Sequence, residues 1–185
     1  MKKFLKWFLI ILAFLVVLGY AFSRYMRYST KQHSPEMVVQ YAEKELEISV
    51  FYNRPYKKGR DIFGGLVPYG EVWRTGANEA TTFTTNKDLL IGGQNLAAGT
   101  YTLWTIPERN EWEVIFNSKE YSWGIGMKGK AMREPEHDAL NIRVKPKQLN
   151  REVEQFTIVF EEGKPIEMDL RWDDTEVSVP IIPKD

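Results

Sequence analysis

Apolar residues recur at every second position along most of this chain, and that period decides what it can fold into. Leu46, Ile48, Val50 and Tyr52 share one face of a single stretch. Leu140, Ile142 and Val144 repeat the pattern, as do Phe156, Ile158 and Phe160. Ile166, Met168, Leu170 and Trp172 continue it, and Val177, Val179 and Ile181 close it. Successive side chains of a strand point to opposite sides, so this alternation predicts half-buried strands. Residues 80–85, 89–91, 100–106 and 112–117 add shorter candidates, the last two flanking the turn Pro107-Glu108-Arg109-Asn110 as in a hairpin. The sum is about eight or nine short strands with regular turn signals, an all-β antiparallel sandwich of jelly-roll-like or Greek-key type.

Two of these segments are apolar on both sides. Tyr101 and Leu103 oppose Trp104 and Ile106, while Trp112, Val114 and Phe116 oppose Ile115. Such strands should be covered on both faces. One cover is the core; the other is expected to be the loop around residues 61–76, a ligand, or both.

The N-terminus follows a different rule. Lys2, Lys3 and Lys6 precede the almost purely apolar run from Trp7 to Phe22. At about 1.5 Å per residue, this run with its snorkelling lysines can cross a hydrocarbon core of roughly 30 Å. Bulky Tyr20 between Gly19 and Ala21 makes a poor processing site, so the run reads as an uncleaved signal anchor rather than a cleavable signal peptide. Trp7 and Tyr20 lie where interfacial aromatics belong. Residues 1–22 are thus expected to form a transmembrane helix, 23–33 a tether, and 34–185 the sandwich. Basic residues flank both ends of the run, but a short basic N-terminus favours a cytoplasmic start with the domain outside. Residues 34–41 open on Ser34-Pro35, which suits a helix start or a first strand equally.

Composition excludes several functions. Six of the 25 basic residues lie before residue 36 without a single acid, leaving 19 bases against 25 acids in the remainder. A domain with a net charge of −6 is a poor partner for nucleic acid. The absence of cysteine removes disulfides, thiolate metal sites, cysteine nucleophiles and lipidation through an N-terminal cysteine. No pattern calls for a cofactor. The glycines of 64–70 lack the Lys-Ser/Thr ending of a phosphate loop, and no serine sits on a recognisable nucleophile turn. Glu136, His137 and Asp138 are adjacent, so an extended chain would aim them apart rather than at one metal ion. The glycine-rich stretch 124–133, with Lys128, Lys130 and Arg133, reads as a solvated basic loop or the rim of a site.

The chemistry is concentrated between Arg60 and Thr82. Glycines at 64, 65 and 70 and Pro68 shape tight turns there. Arg60, Tyr69, Arg74 and Asn78 are candidates for binding a carboxylate, a sulfate or sugar hydroxyls, with Trp73 or Trp104 stacking on a sugar ring or acyl chain. The competing reading is structural: Arg60 and Arg74 pair with Asp61, Glu71 or Glu79 and tie the loop to the sheet. A buried Trp73 would send Arg74 to the opposite surface. Glu71 and Glu79 also permit a glycosidase-like hydrolase, provided that their carboxyls stand roughly 5–9.5 Å apart. The leading functional reading is a membrane-tethered extracytoplasmic module that binds a glycan, a small molecule or an envelope protein.

Several blocks carry a resemblance. Arg54-Pro55, Lys58-Gly59-Arg60, the run from Gly64 to Gly70, Trp73-Arg74-Thr75-Gly76-Ala77-Asn78, the LAAGTYTLWTIP run and the closing LRW and VSVPI blocks resemble the bacterial family called domain of unknown function 2911. The likeness covers Ser34 to Pro183. It implies an all-β, usually exported domain with no established activity, and it favours a strand over residues 34–41. Many relatives begin with an ordinary cleavable signal, from which this apolar start departs.

Overall fold

The computed structural model describes residues 2–121, 123–126 and 129–184. It forms two compact units, Met1–His33 and Ser34–Asp185. The first is helix α1 (Lys2–His33), long and apolar enough to cross a membrane, with its apolar side chains exposed. Its length and composition suit a membrane anchor or a signal sequence. Residues 23–33, the expected tether, continue this helix.

The second unit is mostly strand. In order come β1 (Glu36–Glu43), β2 (Leu46–Asn53), β3 (Thr81–Thr85), β4 (Leu89–Ile91), β5 (Gln94–Leu96), β6 (Gly99–Ile106), β7 (Trp112–Asn117), β8 (Asp138–Val144), β9 (Lys147–Glu161) and β10 (Ile166–Pro183). They build two antiparallel sheets, a six-stranded one in the order β1-β2-β3-β6-β7-β8 and a four-stranded one in the order β5-β4-β10-β9. Residues 36–43 are therefore strand, not helix.

Alternation supplies the core. Ile48, Val50, Phe83, Leu103, Val114 and Phe116 from the larger sheet pack with Ile91, Phe156, Ile158, Leu170, Trp172 and Val179 from the smaller one. Among the described residues, the buried hydrophobic side chains all lie between Leu46 and Ile181, so Ser34–Asp185 carries its own core. The second apolar side of β6 and β7 is covered too. Trp104 and Ile115 pack with Ala80 and Tyr121, and Val72, Ile106 and Ala131 close over them. A small second core thus sits on the outside of the larger sheet.

The strand count exceeds the sequence expectation for local reasons. The glycines at 92 and 93, both at positive φ, fold β4 back on the three-residue β5, which has a single buried residue. Two segments expected as separate strands, 166–172 and 177–181, are one strand, whose pairing with β9 shifts register around Asp173.

The outward side of β10 carries an acidic pair. Asp169 is buried and receives the Arg171 guanidinium at 2.7 Å through one oxygen, yet its other oxygen and Glu167 Oε2 are buried without hydrogen-bond partners. Burial, and then the charge of Asp169, push the Glu167 carboxyl above its ordinary value. An acid whose folded-state pKa is raised binds more protons folded than unfolded, so its contribution is lost as pH rises from the unfolded value through the folded one. Glu167→Gln should therefore melt higher than the parent at pH 7, the difference vanishing below about pH 4. A lower melting temperature at neutral pH would contradict this account.

Candidate functional site

The 27 residues between β2 and β3 are laced onto the sandwich. Arg54 donates to Phe156 O at 3.1 Å and to Thr157 Oγ1 at 2.7 Å, and Lys57 Nζ pairs with Glu152 and Asp173 at 2.6 and 2.7 Å. Further along, Trp73 and Thr105 exchange both backbone hydrogen bonds, at 2.7 and 2.9 Å, so Trp73 continues the sheet beside β6. Its indole stacks on Trp172 at 5.9 Å, meets Phe156 edge-on at 5.1 Å and donates to Gly76 O at 3.0 Å.

With Trp73 turned to the core, Arg74 leaves on the other side, as extended geometry requires. Its aliphatic stem lies so close under Gly124 that a Cβ there would sit 2.3 Å from Arg74 Cδ. Only a glycine fits. Arg74 is half-buried, and its Nε is buried with no hydrogen-bond partner. Burial lowers the affinity of the guanidinium for its proton, and the charge of Glu79 opposes that effect.

A polar knot surrounds it. Asn53, fully buried, donates through Nδ2 to Glu79 Oε2 at 3.1 Å and accepts through Oδ1 from Asn78 Nδ2 at 3.3 Å. Asn78 also donates to Ser34 O at 3.4 Å, and its own carbonyl accepts the Gly124 N–H. Thr75, buried at φ +51°, shares a hydroxyl contact of 3.2 Å with Thr105 and accepts the Thr81 hydroxyl at its carbonyl, at 2.7 Å. A β-branched residue at positive φ is strained and persists only where its surroundings hold it.

The structure thus brings Arg74, Asn78 and Glu79 together and gives the other candidates different work. Arg60 is exposed, and its guanidinium donates to the carbonyls of Lys57 and Tyr56 at 2.9 and 2.5 Å, closing its own turn. The Tyr69 ring packs at Gly64, with the Arg109 guanidinium 4.8 Å over its centre. Trp104 is 0 % exposed, donates to Thr102 Oγ1 and meets Tyr121 edge-on, so no face of its ring reaches solvent. Glu71 is exposed in its turn, whereas Glu79 is half-buried and held by Asn53. Asn53 escaped the sequence reading, and so did the contact with Arg74 of Gly124, a residue of the glycine-rich loop. An asparagine closing an apolar strand was the available signal for the first; for the second there was none, because the contact spans some fifty residues.

At the acidic turn Pro135–His137, Glu134, Glu136 and His137 bring ligand-type atoms within 4.8 Å of one another, whereas Asp138 is taken by Arg133 and Asn117. Glu134 is already engaged by Lys119, whose ammonium holds its carboxyl below the ordinary range. In the glycine-rich loop, Ile125 bridges Ala131, and Gly124 rests on Arg74. Lys128 of that loop lies outside the described residues.

A family model described as a protein of unknown function (DUF2911) matches residues 34–181. The chain belongs to that family. The match spans the strand unit from Ser34, at the knot, to Ile181 near the end of β10, so the Arg74 cluster lies within the DUF2911 region. No curated protein and no solved structure matches the chain.

Proposed function

We propose that this chain is a membrane-tethered binding module that meets an acidic small molecule or glycan at Arg74. The observation that carries this reading is the Arg74 Nε, a buried charged donor with no acceptor. Leaving such a donor unpaired costs about 1–3 kcal/mol, more for a charged group. A carboxylate or sulfate placed against the guanidinium would supply the missing acceptor, and Arg is well suited to such planar oxyanions. Hydrogen bonds of Thr75 with Thr105 and Thr81, and of Asn78 with Asn53 and Ser34, fix the backbone around Arg74, which limits the ordering cost on binding.

Titration of residues 34–185 with glucuronate, acetate and sulfate, with glucose as the neutral control, tests this. A ligand at one hundred times its Kd should stabilise the domain by about 2.7 kcal/mol. Stabilisation by glucose equal to that by glucuronate, or by none of the anions, would sink the reading.

We place the domain outside the cytoplasm, in the cell envelope of a bacterium, with α1 as an uncleaved signal anchor. Lys2, Lys3 and Lys6 on the short N-terminal side support this orientation. An alkaline phosphatase fused to the C-terminus should be active. An inactive fusion, with a fluorescent cytoplasmic reporter at the same position, would reverse the topology.

A further inference from the structure

A concave region lies at the end of the sandwich marked by the β1–β2 turn, the β9–β10 turn and the last residues of β10. It encloses about 710 Å³, within the roughly 300–1,000 Å³ range of small-molecule sites. Its floor is apolar: Leu46, Ile166 and Ile181 are buried there, and Pro165 and Pro183 extend the surface. Ile182 remains 47 % exposed at the mouth.

The rim reverses the charge of the domain. Lys44, Lys87, Lys164 and Lys184 line the cavity against Glu43 and Glu45, in a unit whose net charge is negative. Both acids are already engaged: Glu45 by Lys87 at 2.9 Å and Glu43 by the Tyr41 hydroxyl at 2.8 Å. Lys184 donates to Asn95 at 3.1 Å, while Lys44 and Lys164 are exposed on facing turns. An apolar floor beneath an excess of ammonium groups is complementary to a molecule with one apolar tail and one anionic head.

We infer that this cavity binds a long-chain carboxylate, with its tail along Pro165, Ile182 and Pro183 over the buried floor of Leu46, Ile166 and Ile181, and its head among the lysines. Burying the tail contributes about 25 cal/mol per Å² of apolar surface. The head draws on charges that are screened at high salt. This site uses none of the residues around Arg74 and stands or falls separately from it.

Calorimetric titration of residues 34–185 with oleate, below its micelle concentration, should give saturable binding of one molecule per chain. Lys44→Glu/Lys164→Glu should weaken it at least tenfold, and Ile182→Glu, at an exposed position, should weaken it comparably. Monoolein, with the same tail and no charge, should bind at least tenfold more weakly than oleate. Absence of saturable binding, or oleate affinity unchanged by both variants, would overturn the inference. So would lysophosphatidylglycerol binding more tightly than oleate, since the head would then be a phosphate.

Discussion

Trp73→Ala is expected to destabilise residues 34–185 by about 3–5 kcal/mol, the range for truncating a large aromatic packed in a core. The side chain is only partly buried, but its surroundings make it a keystone. It stacks on Trp172, touches Phe156 and Phe63, and donates its indole N–H to Gly76 O. Removing it leaves a cavity against Trp172 and unties the turn that carries Thr75 and Asn78. Trp73→Phe keeps most of the packing and loses the Gly76 bond, so it should cost much less, near the about 0.5–1.5 kcal/mol of one hydrogen bond plus a modest packing loss. Urea unfolding followed by circular dichroism separates the two. A cost below about 1 kcal/mol for the alanine variant would show that the β2–β3 connection does not depend on this anchor for its place.

Much of that architecture was legible from alternation alone. Ile48, Val50, Phe83 and Leu103 lie in the core because their parity puts them there. The doubly apolar hairpin likewise required a second cover, which Ala80, Tyr121 and Val72 supply. The opposed directions of Trp73 and Arg74 followed from the geometry of an extended dipeptide. What escaped was too short or too aperiodic to read locally, or was tertiary in origin. β5 is three residues long with one buried side chain, too brief to show a period. Helix α1 runs through residues 23–33 because those residues lack proline and glycine, although they have no apolar stripe. The fit of Gly124 over Arg74 joins distant parts of the chain, and the lysine-rimmed cavity is assembled from separate turns. No local pattern encodes either.

The sequence also offered Arg60, Arg74, Tyr69 and Trp104 as one cluster, and the fold distributes them. Arg60 closes its own turn, Tyr69 lies under Arg109, and Trp104 is sealed in the second core. Arg74 is the one whose buried donor atom is left without an acceptor. On the proposed function, Arg74 is kept for binding at a cost to stability.

Arg74→Met tests that claim most directly, because the side chains are similar in length and the substitution removes the buried charge. Arg74 is desolvated with its Nε unpaired, which the charge of Glu79 offsets only in part, and replacing a buried ionic group by an apolar one is often neutral or stabilising. The variant of residues 34–185 should melt at or above the temperature of the parent, and its affinity for the acidic ligand should fall at least tenfold. A loss of about 3–5 kcal/mol, the scale for breaking a buried ion pair, with ligand affinity intact would contradict the account and make Arg74 a structural partner of Glu79.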